Sequence, residues 1–175
     1  MVSGDVLLEA KNVVDSLSQR VDSRVLAKSV ELKPRIISLA QRIYELSGLL
    51  SDILNRAASI VEEGKRQRIY RIGTWFYLVL DKDSFVMVRN KPYTITISYR
   101  RGVGRLHVRT RGFEASFSPT QLSLKYYAMS ISIDPGSPKE IEEYQGELKY
   151  LLRKLGGIIE FQLYPIAEKR LPVPG

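Results

Sequence analysis

Residues 93–111 read YTITISYRRGVGRLHVRTR, and their period of two marks paired strands. Tyr93, Ile95, Ile97 and Tyr99 fall on one side of an extended chain, and Thr94, Thr96, Ser98 and Arg100 on the other. After Gly-Val-Gly the alternation resumes: Leu106 and Val108 point one way, Arg105, His107, Arg109 and Arg111 the other. Two such strands joined through "RGVG" predict an antiparallel hairpin in which the apolar sets meet and the polar sets meet. The sheet is therefore expected to bury one face. The other carries a strip of Arg100, Arg105, His107, Arg109 and Arg111 among hydroxyls, with Arg101 beside it in the turn.

Outward from this hairpin the same period predicts strands near 68–80, 84–89, 113–117 and 121–133, the last with a bulge near Tyr126–Ala128. On the N-terminal side the pattern is helical. Leu7, Ala10, Val14, Leu17 and Val21 recur every three or four residues, predicting a helix over about 5–32. Pro34 suits the first turn of a second helix running to Glu63, with Gly64 as its stop. That helix is apolar over a wide arc from Ile36 to Val61, wider than one sheet face covers, so part of it is expected to pack on another subunit. On the C-terminal side Ser137-Pro138-Lys139-Glu140 matches a capping box and predicts a helix over 138–155. Gly156-Gly157 should end it, and "IIEFQLYP" reads as a final strand.

The class that results is α+β: two long N-terminal helices packed on an antiparallel sheet of five or six strands, one late helix and a final strand. Residues 1–64 form a helical segment for packing and oligomerisation, and 65–175 a basic sheet domain, together one structural unit.

Charge carries the functional signal. The net charge is +8, yet residues 64–113 hold 12 basic residues and only Asp81 and Asp83 as acids, a local +10. The other 15 basic and 17 acidic residues leave −2. Such asymmetry points to a polyanionic partner. Unpaired guanidinium groups at hairpin spacing repel one another, and phosphates relieve that repulsion with a geometry suited to arginine. Aromatic residues are interleaved with these cations. Most strand rings belong in a core, but Trp75 and Tyr77, in phase with Arg71, and Tyr127, beside Lys125, are candidates for stacking unpaired bases.

Other chemistries are poorly provided for. With no cysteine and a single histidine, neither a disulfide nor a His-based zinc site is expected. No phosphate-cradling glycine loop is present. Asp81 and Asp83 would make at most a two-carboxylate metal site in a tight turn, so a metal-dependent nuclease is the weaker alternative to a non-catalytic protein. No catalytic residue, metal or cofactor is assigned. No apolar run reaches the roughly 20 residues of a membrane span, and "MVSGDVLLEA" lacks the features of a signal peptide, which predicts a cytoplasmic location.

The order of two long helices, a basic aromatic-bearing antiparallel sheet and a capped helix, in a cysteine-free chain of thermophilic composition, resembles the ThermoDBP group of archaeal single-stranded DNA-binding proteins. "TWFYLVLD" and "YRRGVGRLHVRTRG" carry the resemblance. It implies a non-OB fold that binds single strands with little sequence preference, assembled into oligomers with the strand in an aromatic, base-lined cleft or tunnel. The sequence reading is thus a single-stranded nucleic-acid-binding protein, DNA favoured and RNA the alternative. Its expected site is Arg71, Trp75, Tyr77, Arg100, Arg101, Arg105, His107, Arg109, Arg111 and Tyr127. It is expected to form a homodimer or tetramer through its N-terminal helices. An oligomeric adaptor for structured RNA or an acidic protein is the competing expectation.

Overall fold

A computed structural model describes residues 4–64, 67–72 and 76–164. Helix α1 (Asp5–Arg24) buries the predicted seam of Leu7, Ala10, Val14, Leu17 and Val21. A 3₁₀ segment, Leu26–Glu31, leads to α2 (Pro34–Glu63), which has proline in its first turn. Eight strands follow: β1 (Ile69–Ile72), β2 (Phe76–Leu80), β3 (Ser84–Arg89), β4 (Ile95–Arg100), β5 (Leu106–Thr110), β6 (Phe113–Phe117), β7 (Leu122–Tyr126) and β8 (Met129–Ile133). They form one antiparallel meander in chain order. Helices α3 (Pro138–Glu143) and α4 (Gln145–Gly156) and a π-helical segment, Gly157–Leu163, complete the described chain.

Alternation decides which face is buried. Leu78, Phe85, Met87, Ile97, Val108, Ala115, Leu124 and Ile131 point inward with the fully buried rings of Phe113 and Phe117. Helix α1 lies across β3–β6, while α2 meets β1 and α4 meets β7 and β8. Helix and sheet residues from Val6 to Leu163 share one contiguous core, so the helical segment has no separate core of its own. Polar staples fix α1 in place. Arg20 donates to both oxygens of Asp134, at 2.8 and 2.5 Å, and Ser51 of α2 donates to Asp15 at 2.6 Å.

Several sequence expectations are corrected. The stretch 68–80 holds two antiparallel paired strands, β1 and β2; Tyr70, Ile72, Phe76, Leu78 and Leu80 keep one parity and so mimic a single strand. The stretch 121–133 is likewise two strands, with Tyr126 opposite Met129 across a two-residue turn, so the phase change is a reversal and not a bulge. The sheet therefore has eight strands. The first helix ends at Arg24, and the late helix breaks at Tyr144 (φ −107°, ψ 19°). Its capping residue behaves as expected, since Ser137 accepts from the Glu140 N–H at 3.3 Å. The Glu140 carboxylate, however, accepts from the Asp134 N–H at 3.0 Å.

Gly156 and Gly157 do not stop the chain, and there is no final strand over Ile158–Tyr164. Both glycines hold right-handed helical dihedrals. A Cβ at Gly156 would stand 2.5 Å from the Arg42 guanidinium, which crosses the helix there to bind Glu160 at 2.8 and 2.6 Å. The glycine serves a crossing side chain. Finally, the wide apolar arc of α2, from Ile36 to Val61, is buried by this chain's own α1, β1, α4 and π-helical segment. The reason for expecting a subunit contact there is removed.

Candidate nucleic-acid interface

The sheet separates what the sequence places side by side. The links at 81–83, 101–105 and 118–121 lie at one end, and those at 90–94, 111–112 and 127–128 at the other. Arg105 and Arg111 therefore stand at opposite ends, about 20 Å apart at the strand rise. Arg100 and Arg105 are exposed at the first end, with no carboxylate partner among the described residues. Arg101 turns back toward the helices, 3.6 Å from Glu9 and 3.7 Å from Asp83. Glu9 also accepts the Tyr99 hydroxyl at 2.5 Å; burial, then this carboxylate, pushes that phenol well above its ordinary range. Arg101 thus helps to dock α1. Asp81 faces Arg68 at 3.4 Å, so both aspartates of the β2–β3 turn engage arginine. Among the described residues no group of three or more His, Cys, Asp or Glu could hold a metal.

Register lays one row across the open face: Arg71, Tyr77, Val88, Thr96, Arg109, Glu114, Lys125 and Ser130. Arg71 and Tyr77 are directly opposed, but four strand spacings, about 19 Å, separate Arg71 from Arg109. Trp75 lies outside the described residues. Arg109 is paired with Glu114 at 3.2 Å, an acid just beyond the hairpin. His107 sits beside Arg109 and Arg105; burial and then those two guanidinium groups hold its pKa below the ordinary 6.5. The predicted arginine strip is therefore divided, and part of it is neutralised.

What the fold brings together is at the second end. A groove of about 500 Å³ opens between the β5–β6 and β7–β8 turns, α4 and the π-helical segment. Its lining includes Tyr93, Tyr126, Tyr127 and Tyr150 with Arg111, Arg153 and Lys154, and no acid. Lys154 Nζ lies 4.7 Å from the Tyr126 ring centre and 5.4 Å from that of Tyr150. Tyr126 meets Tyr127 edge-on at 4.7 Å and Tyr150 at 6.0 Å. Tyr93 is held by Gln162, whose side-chain N–H donates to the Tyr93 hydroxyl, while Arg89 donates to the Gln162 carbonyl. Arg89 Nε and Gln162 Oε1 are buried beside the groove with no hydrogen-bond partner among the described residues. A π-helical wall is itself a feature common at functional sites.

Tyr127 marks the mouth of the groove. It is 60% exposed and holds φ at +51°, the only positive φ outside glycine among the described residues. A positive φ at the first of two loop residues is the pattern of a type II′ turn, a position that favours glycine. A tyrosine there costs about 1–2 kcal/mol. Gly112 makes room for it: at φ +75° a Cβ would lie 2.4 Å from the Tyr127 ring. The Tyr127 N–H donates to the Gly112 carbonyl at 2.8 Å, holding the two turns together. Tyr127 also lines a shallower hollow on the open face with Arg109, Glu114 and Lys125, so the two depressions adjoin.

Of the sequence-predicted residues, Arg109, Arg111 and Tyr127 gather around these hollows; Arg71, Tyr77, Arg100, Arg101, Arg105 and His107 do not. Tyr93, Tyr126, Tyr150, Arg153 and Lys154 were not foreseen. The Tyr126-Tyr127 pair, at a phase change with no glycine, was the one local signal pointing here. Comparison with family models, curated proteins and solved structures found no match to this chain. Among the described residues no helix is long and apolar enough to cross a membrane.

Proposed function

We propose that this chain is a non-catalytic single-stranded nucleic-acid-binding protein, with DNA favoured by the resemblance described above. Arginine and lysine contact phosphates, and tyrosines stack unpaired bases. One observation carries the reading: a groove lined by four tyrosines and three cations without a carboxylate. Ring stacking contributes about 1–3 kcal/mol per base and tolerates any base. Duplex bases, already stacked, cannot use such rings, so the groove selects unpaired strands. Arg111 from the β5–β6 turn and Arg153 and Lys154 from α4 suit a phosphate chain passing over the rings.

Titration of labelled oligothymidylate, oligouridylate and duplex DNA at two salt concentrations tests this. Single strands should bind more tightly than duplex, with affinity falling as salt rises. A preference for structured RNA would favour the adaptor reading instead, and absence of any nucleic-acid binding would reject the proposal.

A further inference from the structure

Beyond the groove, α2 and α4 enclose a cleft of about 710 Å³ lined by Arg35, Arg42, Lys149 and Arg153 against a single acid, Glu45. Arg153 lines both this cleft and the tyrosine groove, so the two adjoin. Tyr127 makes the corresponding link between the groove and the open-face hollow. Three depressions thus follow one another around the molecule.

The cleft differs from the groove in chemistry. It has no ring in its lining. Arg42 is committed to Glu160, whereas Arg35 donates to the neutral Gln145 side chain at 2.7 Å and merely flanks Glu142, which Lys33 already pairs at 2.9 Å. Lys149 and Arg153, one turn apart on α4, are exposed and have no carboxylate partner among the described residues. Like charges at this spacing repel, and a polyanion relieves them. We infer that a single strand leaving the tyrosine groove crosses α4 at Arg153 and is held by its phosphates in the α2–α4 cleft, with Arg35 and Lys149 as its contacts. This rests on the nucleic-acid reading of the groove. From Lys154 back to Gly146 the helix rises about 12 Å, room for roughly three or four nucleotides at stacked spacing.

The test is a length series of labelled oligothymidylates, read by fluorescence anisotropy, for the native chain and for a double variant, Arg35→Gln with Lys149→Gln. Thermal melts check that both are folded. The native chain should gain affinity and salt dependence as the oligomer grows past the groove. The variant should match it on the shortest oligomers bound and lack the later gain. Its salt slope on long oligomers should be lower by about 1.4, two phosphates at ~0.7 each for single strands, with affinity about tenfold weaker. A variant that follows the native chain at every length would overturn the inference. So would a native chain whose affinity stops rising at the shortest length, a result that leaves the groove reading intact. A variant with altered mass by light scattering but an unchanged length gain would make the cleft a contact between copies, and overturn it too. If the native chain binds no oligomer, the groove reading falls and this inference with it.

Discussion

Replacing Tyr127 by glycine separates binding from folding. In the folded chain the substitution relieves a tyrosine at φ +51°, worth about 1–2 kcal/mol. It removes an edge-on contact with Tyr126 at 4.7 Å, worth about 0.5–1.5 kcal/mol. It also frees the unfolded chain, at a cost of roughly 0.5–1 kcal/mol. The ring is 60% exposed, so little burial is lost. These contributions nearly cancel, and the melting midpoint should move by only a few degrees. Binding should respond differently. If the ring stacks one base, its loss weakens single-strand affinity by about 1–3 kcal/mol, roughly 5- to 150-fold. Anisotropy titration with labelled oligothymidylate alongside thermal denaturation measures both quantities. Native affinity with native stability would refute the idea that this strained ring is held out for a ligand.

Further predictions concern neighbouring features. Gly112→Ala should cost about 1–2 kcal/mol in denaturant unfolding, since φ is +75° and the new Cβ meets the Tyr127 ring; it should weaken binding as well. Arg111→Ala should lower the salt slope of single-strand affinity by about 0.7, whereas Arg101→Ala, already facing Glu9 and Asp83, should leave that slope unchanged. Asp134 is held below the ordinary 3.8 by the Arg20 guanidinium and the Gly136 N–H. Its folded pKa is therefore below its unfolded one, so its contribution is complete above about pH 4 and is lost as pH falls further. Asp134→Asn should lower stability at pH 7 by roughly 1–2 kcal/mol and flatten the acid limb of the denaturation curve. The imidazole of His107 should titrate below 6.5 by NMR in the free protein and move upward when a polyanion in the open-face hollow screens Arg109.

The sequence was most legible where one period ran unbroken. The seam of α1, the proline start of α2, the β4–β5 hairpin with Ile97 opposite Val108, and the Ser137 cap all follow from local rules. Strand number was hidden because the inward residues of β1 and β2 share one parity. It was hidden again at β7–β8, where a tyrosine occupies a position that normally advertises itself with glycine. Gly156 reads as a helix stop, whereas it makes room for Arg42, 114 residues away in the chain. The site was less legible than the fold. Charge asymmetry pointed to a polyanion, but a linear cluster of arginines becomes two ends of a sheet once strands are drawn out. The groove draws Tyr93, Tyr127 and Tyr150 from a loop, a turn and a helix, a meeting that only the meander and the packing of α4 produce.

The reading requires unpaired bases to lie on the tyrosines of the groove. Photo-crosslinking of an oligothymidylate to the intact chain, followed by peptide mapping, tests whether they do. Crosslinks at Tyr93, Tyr126, Tyr127 or Tyr150 are the predicted result; crosslinks confined to Tyr77 and the outer face of β1–β3 would contradict it.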